Sequence, residues 1–204
     1  MIAFLTNHWL DILTTILGLA YILLEYRASI WLWAVGFLMQ SLGIILYYQK
    51  GLYADCGMEF YYLAMTVYGY LNWVRKTGKK KKVKKEEHRY AAITHFPRRL
   101  ALLWTVIILA AWGVLYWFLA TFTDSNVPLA DSFTTALSFV GIWALARKYL
   151  EQWLIWIIVD AVTSVLYFYK DIPFKASLYA LYVVIAIAGY LKWKKQMGFA
   201  DSNR

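Results

Sequence analysis

One carboxylate and several aromatic rings share a face of a long apolar stretch near the C-terminus. Read as a helix, residues 152–169 carry four of these groups on one stripe: Trp153, Trp156, Asp160 and Tyr167. At 1.5 Å per residue, Asp160 lies roughly 12 Å from the start of the stretch, near the middle of a bilayer core. An Asp at that depth costs about 2.5–3.5 kcal/mol, so it usually faces a cavity, a partner or a bound molecule. We therefore interpret the stripe as half of a binding site.

The composition places the whole chain in a membrane. Of its 204 residues, 62% are hydrophobic and only 16% are charged, which is far more apolar than a soluble domain needs. The apolar stretches are too long for buried strands, and the three prolines all fall between them. The lone Cys56 allows no intramolecular disulfide, and we expect no cleaved signal peptide. The sequence predicts an all-α, polytopic membrane protein.

Seven transmembrane helices are predicted, and they cover residues 10–26, 31–49, 53–74, 99–121, 130–147, 152–169 and 174–193. Most of the 21 Lys and Arg fall on one side, chiefly in the linker 75–98 and the tail 194–204. Because basic residues stay preferentially in the cytoplasm, we expect the N-terminus outside and the C-terminus inside. The linker should be a solvated loop attracted to anionic headgroups; no aromatic residues interleave its lysines, so nucleic acid is not expected as a partner.

The sequence also contains an internal repeat. A shift of 120 residues, without a gap, aligns the first three stretches with the last three, and several identities are of residue types that rarely match by chance: Arg27/Arg147, Trp33/Trp153, Lys50/Lys170, Gly69/Gly189 and Trp73/Trp193. Residues 1–74 and 130–193 would then be parallel three-helix repeats joined by the connecting helix 99–121. This 3+1+3 arrangement is typical of transporters, which bind substrate near mid-membrane where the repeats meet.

The shift makes the predicted site unequal. It aligns Gln40 with Asp160 and Gly36 with Trp156, so a carboxylate and a ring on one side face an amide and a glycine on the other. A symmetric pore would keep both sides alike. The predicted ligand therefore has two different ends.

Three further residues complete the predicted site. Glu59 is a second acid, roughly 9 Å inside the boundary of its stretch, and Tyr62 shares its helical face. Gln152, at the start of the first stripe, is expected to bind the polar end of the ligand together with Gln40.

Structural roles remain open alternatives for several of these residues. Trp153 and the other tryptophans matched by the repeat lie near span ends, where the headgroup region and packing both favour tryptophan. These are Trp33, Trp73 and Trp193. Asp160 bonded to a neighbouring hydroxyl, or Gln40 linking two helices, would be purely structural. Gly69 and Gly189 most simply allow close helix approach.

No catalytic site, metal site or cofactor site is predicted. The three histidines fall outside the spans, and the sequence contains neither a zinc motif nor a P-loop. A membrane scaffold would explain the spans but gives Asp160 no role. A sugar carrier of the SWEET type shares the 3+1+3 layout, but the proline expected in the first and fifth spans is missing.

Four segments together resemble the PnuC family of vitamin transporters: 51–55 (GLYAD), 59–62 (EFYY), 68–73 (YGYLNW) and 147–156 (RKYLEQWLIW). The resemblance implies a seven-span 3+1+3 facilitator in the cytoplasmic membrane, assembled as a homotrimer. It further implies import of nicotinamide riboside without ATP or a coupling ion, with a cytoplasmic kinase that traps the substrate by phosphorylation. A thiamine-transporting branch, PnuT, shares the pattern.

Two departures from the family pattern add negative charge. Glu59 stands where the family commonly has Gln, and Asp160 where it commonly has Asn. Nicotinamide riboside carries a pyridinium and thiamine a thiazolium, so acidic and aromatic groups suit both through charge pairing and cation–π contacts. The aminopyrimidine of thiamine also favours a carboxylate acceptor. The expected ligand is a small cationic heteroaromatic vitamin, nicotinamide riboside by family default or thiamine as the alternative.

Overall fold

The chain folds into α-helices throughout the part that the computed structural model describes, which is residues 13, 16–49, 53–78, 93–123, 127–169 and 173–202. These residues form seven α-helices: α1 Ile16–Tyr26, α2 Trp31–Gln49, α3 Tyr53–Gly78, α4 Ala101–Phe122, α5 Pro128–Arg147, α6 Gln152–Tyr169 and α7 Pro173–Ser202. A short 3-10 turn, Arg98–Leu100, leads into α4. The predicted all-α fold with seven helices is confirmed.

Two helices continue beyond the predicted spans. Helix α3 runs through Gly78 and α7 through Ser202, so the first residues of the predicted linker and most of the predicted tail are helical. The hydropathy pattern marks where the apolar run ends, whereas Lys, Gln and Met after Trp193 are good helix formers and continue the helix into water. The lysine run of the linker lies within residues 79–92, outside the described residues.

Five of the helices are long and apolar enough to cross a membrane by length and composition: α2, α4, α5, α6 and α7. Helix α3 is 26 residues long but carries Glu59, Asn72 and several tyrosines, so its composition is more polar. The described part of α1 is shorter than a bilayer requires. The chain is a multi-pass membrane protein.

Helix α4 differs from the other helices because none of its residues is buried. Leu102, Val106, Val114, Trp117 and Phe122 are all more than half exposed. A helix that is apolar on every side would be unstable in water but is well solvated by lipid acyl chains. This surface is the clearest structural sign of the membrane.

The chain divides into two compact units, residues 1–91 with α1 to α3 and residues 92–204 with α4 to α7. In the first unit α2 packs on α3; in the second, α4 packs on α5, α5 on α6 and α6 on α7.

The turn after α1 and the turn after α5 have the same backbone geometry. Ala28 and Lys148 both adopt the left-handed conformation, with φ of 51° and 63°. In each turn this residue donates a hydrogen bond to the carbonyl three residues back, and the next residue, Ser29 or Tyr149, donates to the carbonyl five residues back. Both helices therefore end in a Schellman-type cap. The two turns are 120 residues apart, which supports the predicted repeat at this point; the repeat of whole three-helix units stays a prediction.

Four tryptophans pack inside the two units. Trp33 lies against Gly69 and meets Trp73 edge to face, with ring centroids 5.4 Å apart. Trp153 lies against Gly189 and meets Trp193 in the same way, at 5.5 Å. All four are at most 1% exposed, so they are packing residues and do not form a headgroup belt. The prediction that Gly69 and Gly189 allow close approach is confirmed: an indole occupies the space of each missing side chain.

Candidate functional site

Helix α6 carries a row of polar groups, two of which are buried without a hydrogen-bond partner among the described residues. Gln152, Trp156 and Asp160 are spaced by four residues, so they lie above one another on one face. Gln152 is fully buried, and neither its amide oxygen nor its nitrogen has a hydrogen-bond partner among the described residues; the same holds for Trp156 Nε1. Buried polar groups are nearly always hydrogen-bonded in native proteins. The two Gln152 atoms and Trp156 Nε1 are exceptions that lie together on one face, as the polar groups of a binding site for a polar ligand do.

Asp160 is the charged member of this row and is only 6% exposed. Its carboxylate interacts electrostatically with the hydroxyl of Tyr182 on α7. The nearby Ser164 instead donates to the backbone carbonyl of Ala176, at 2.8 Å. Within the described part of the chain, no side chain hydrogen-bonds to Asp160, so the purely structural alternative for this residue finds no support there.

The position of the Trp156 ring is set by Gly141 on α5. A Cβ at Gly141 would lie 3.2 Å from two atoms of the indole, a tight contact, so the glycine lets the ring lie directly against the α5 backbone. The ring is half-buried and still has accessible surface. Trp156 can therefore offer a fixed aromatic face, which is what binding of a flat heterocycle requires.

Tyr167, the last member of the predicted stripe, belongs to a group of tyrosines between α6 and α7. It stacks on Tyr179 with centroids 5.4 Å apart and planes 30° apart, and Tyr179 meets Tyr182 edge to face at 5.6 Å. All three rings are half-buried. The group connects the C-terminal end of α6 with the neighbourhood of Asp160.

Trp153 is also on α6, but its ring is largely engaged by other side chains. It fills the space over Gly189 and abuts Trp193, which leaves only its Nε1 without a partner among the described residues. Ligand contact by Trp153 stays a prediction, and the structure adds a packing role.

In the first unit, the predicted site residues Gln40, Glu59 and Tyr62 are all half-buried. The carboxyl group of Glu59 lies against Gly43 of α2, where a Cβ would come within 2.7 Å of its Cδ. Tyr62 makes an edge-to-face contact with Tyr61 at 5.8 Å. These contacts put Glu59 at the packed face between α2 and α3, with Gln40 on α2.

Each unit contains a contact between an aromatic ring and a glycine, and the helices that carry the two residues are reversed between the units. In the second unit Gly141 of the earlier helix faces Trp156 of the later one; in the first, Tyr21 of the earlier helix faces Gly36 of the later one, 3.1 Å from the Cβ position. Position 21 corresponds to 141, and 36 to 156, under the shift of 120 residues. The ring and the glycine therefore occupy opposite helices in the two units, and the unequal binding site itself stays a prediction.

The segment that precedes α4 contacts the start of α6 through backbone and side-chain hydrogen bonds. Thr94 exchanges backbone hydrogen bonds with Lys148 and Leu150, at 3.1 and 3.0 Å. The Glu151 carboxylate accepts from the backbone N–H of Phe96 at 2.8 Å and contacts His95 Nδ1 at 2.7 Å. This clamp, residues 94–96 with 148–151, adjoins Gln152 and fixes the entry of the chain into α6.

Sequence reasoning missed Tyr179, Tyr182 and the clamp. Tyr179 and Tyr182 are three residues apart on α7, and Tyr182 matches Tyr62 in the repeat, so a signal was available.

Metal binding finds no support in the described residues, where no three His, Cys, Asp or Glu side chains are grouped.

Curated relatives are transporters. The chain is 25% identical over 209 aligned residues to the "Nicotinamide riboside transporter PnuC" of Escherichia coli strain K12, an alignment that covers 91% of this chain and 84% of the relative. It is 28% identical over 187 residues to the "Riboflavin/roseoflavin transporter RibM" of Streptomyces davaonensis, with the same coverage.

The fold and the family agree with these relatives. A solved structure described as "Crystal structure of the Vitamin B3 transporter PnuC" matches with a TM-score of 0.72 and 22% identity, over 96% of this chain and 85% of that one, which shows the shared fold. The model of the family described as "Nicotinamide mononucleotide transporter" matches residues 8–195. The family predicted from the sequence is confirmed, and both fold and relatives are those of membrane transporters and not of enzymes. The chain belongs to the nicotinamide mononucleotide transporter family, whose model it matches over nearly its whole length.

Proposed function

We propose that this protein is a facilitator that carries a small cationic heteroaromatic vitamin across the membrane, with nicotinamide riboside as its first candidate. The observation that carries the proposal is a row of polar groups on α6. The Gln152 amide and Trp156 Nε1 are buried without a hydrogen-bond partner among the described residues, and the Asp160 carboxylate beside them is only 6% exposed. Two similar proteins are a nicotinamide riboside transporter and a vitamin B3 transporter by name, which supports the choice of substrate.

Each group in the row matches one part of such a ligand. The Asp160 carboxylate can pair with the ring cation, and Trp156 can stack on the ring; a desolvated cation–π contact contributes on the order of 0.5–2 kcal/mol. The amide of Gln152 offers one acceptor and two donors to a hydroxyl or carboxamide group. A ligand that engages all three removes the cost of burying them alone.

The direction of transport follows from the same proposal. Movement down the gradient needs neither ATP nor a coupling ion, and phosphorylation by a cytoplasmic kinase would make uptake one-way because the charged product no longer fits. We place the N-terminus outside and the C-terminus in the cytoplasm from the distribution of Lys and Arg. A homotrimer in the cytoplasmic membrane is proposed from the family resemblance, and the exposed apolar surface of α4 is compatible with subunit contacts.

Two other vitamins are retained as candidates on specific grounds. Thiamine is cationic, and its aminopyrimidine can donate to a carboxylate such as Asp160. Riboflavin is favoured by the relative from Streptomyces davaonensis. Riboflavin is uncharged, however, so it would leave Asp160 without a counter-charge, and we rank it below the two cations.

The test is a direct competition between the three vitamins. Purified protein in lipid nanodiscs would be titrated with nicotinamide riboside, thiamine and riboflavin, followed by uptake of labelled ligand into proteoliposomes. We expect saturable binding of one cation, with Asp160→Asn weakening that binding more than it weakens binding of an uncharged analogue such as reduced nicotinamide riboside.

The outcomes separate the candidate functions. Preferential binding of riboflavin, insensitive to Asp160→Asn, would replace the cationic substrate by the neutral one. Absence of binding by all three vitamins, from protein that melts cooperatively, would favour a membrane scaffold and overturn the proposal.

A further inference from the structure

A row of three tyrosines leads from one end of the α6–α7 hairpin to Asp160. Tyr167 stacks on Tyr179, Tyr179 contacts Tyr182, and Tyr182 interacts electrostatically with Asp160. Tyr167 is near the end of α6, about two turns beyond Asp160, which is near the middle of the helix. The row therefore spans about half of the hairpin, and each ring presents a surface on which a flat cation can stack.

The outer end of the row is occupied by a cation of the protein itself. The Nζ atom of Lys175, at the start of α7, lies 5.4 Å from the centroid of the Tyr167 ring, and the rest of the side chain is exposed. The acidic Asp131, at the start of α5, also interacts electrostatically with Tyr167. An ammonium thus lies over an aromatic ring at the end of the hairpin opposite Gln152, which is the external end in the proposed topology, and a carboxylate acts on that ring electrostatically.

We propose that Tyr167, with Tyr179, forms a second, external binding site for cationic heteroaromatic ligands, and that Lys175 is a tethered competitor for it. This inference rests on the proposed function, since it names the first site that the same substrate meets on its way to Asp160. The ligand displaces the ammonium of Lys175, stacks on Tyr167, and passes along Tyr179 and Tyr182.

The tether gives the external site selectivity. A simple ammonium ion gains from Tyr167 only the cation–π contact that Lys175 already makes, and Lys175 competes at a local concentration that is roughly millimolar or higher. A heteroaromatic cation adds ring stacking to the same charge contact, so it can displace the lysine. Lys175 should therefore exclude small alkylammonium ions while it admits aromatic cations.

The experiment measures how tetramethylammonium inhibits uptake of labelled nicotinamide riboside into proteoliposomes. In the protein with Lys175, inhibition should be weak; in Lys175→Ala, the inhibition constant should fall by roughly three- to tenfold, since the ring becomes available. The matched control is Lys194→Ala, because Lys194 lies 5.9 Å over Tyr190 on the same helix but away from the tyrosine row. Tetramethylammonium should inhibit uptake by that variant as weakly as it inhibits uptake by the unmodified protein.

A second variant ties the effect to the ring. Lys175→Ala combined with Tyr167→Leu should lose the gained inhibition, whereas the combination with Tyr167→Phe, which keeps an aromatic face, should retain it. Equal inhibition of the unmodified protein and Lys175→Ala, in liposomes where uptake still depends on Asp160, would overturn the external site but leave the proposed function standing. If the unmodified protein takes up no cationic vitamin at all, the proposed function fails, and this inference fails with it.

Discussion

Trp153 of α6 lies directly against Gly189 of α7, and its indole occupies the place of a side chain at position 189. A Cβ there would lie 2.6 Å from two indole atoms and 2.8 Å from a third, closer than packed atoms allow. Gly189→Ala must therefore displace a ring that is itself fully buried. We expect a loss of about 1–3 kcal/mol in the free energy of unfolding, measured as a lower melting temperature of the purified protein.

Gly113→Ala is the matched control for this change. Gly113 is also inside a helix, but nothing lies within 4 Å of its Cβ position. Because Ala has the higher helix propensity, the control should be neutral or stabilising by up to about 1 kcal/mol. Equal melting temperatures for the two variants would contradict the packing role of Trp153.

Asp160→Asn should separate stability from ligand affinity. The carboxylate is buried without a hydrogen bond among the described residues, so its removal should leave the melting temperature unchanged or higher. Binding of the cationic ligand should weaken by about 1–3 kcal/mol, which is roughly five- to 150-fold, because the counter-charge is lost. Calorimetric titration gives the affinity, and a melting curve without ligand gives the stability. A lower melting temperature with unchanged affinity would assign Asp160 a structural role.

Gln152→Leu tests the second polar group of the row, and the chain itself supplies the reference. Leu32 stands at the corresponding position of the first unit and is equally buried, at 0% exposure. A leucine should therefore fit, and removal of two unsatisfied polar atoms should raise the free energy of unfolding by about 1–3 kcal/mol. Ligand affinity should fall. A melting temperature below that of the unmodified protein would show that the amide has a partner which stabilises the fold.

Glu151→Ala should open the clamp that precedes α6. The carboxylate accepts hydrogen bonds from Phe96 N–H and from His95, so both are lost together. We expect amide exchange at Phe96 to accelerate by about tenfold or more, read by hydrogen–deuterium exchange. His95→Ala, which keeps the bond to Phe96, serves as the control and should change this rate far less. Protection at Phe96 that survives Glu151→Ala would mean that the backbone bonds of Thr94 suffice to hold the segment.

The helices could be predicted from the sequence because the bilayer imposes a simple rule on length and polarity. Periodicity within one helix also identified Trp156, Asp160 and Tyr167 as members of one face. It could not identify the neighbours of that face: Tyr182 interacts electrostatically with Asp160 only because α7 packs on α6. A stripe specifies a direction on one helix, and which helix lies in that direction depends on tertiary packing.

The tryptophans illustrate a second limit. Trp33 and Trp153 lie near span ends, where both lipid headgroups and close packing favour an indole. The residue type alone therefore did not distinguish a headgroup role from a packing role. The glycines 36 residues later, Gly69 and Gly189, carry the missing information, since each removes a side chain where an indole must fit. The prediction that Gln40 and Asp160 contact one ligand depends on the repeat and stays a prediction.

The buried, unpaired groups on α6 have a consequence for the life of the protein in the cell. Because the Gln152 amide and Trp156 Nε1 are buried without hydrogen-bond partners among the described residues, a ligand that satisfies them stabilises the folded protein and prolongs its survival against proteolysis. Under the proposed function, vitamin supply would thereby set the abundance of the transporter after translation: starved cells would degrade it faster, and supplemented cells would accumulate it without any change in transcription.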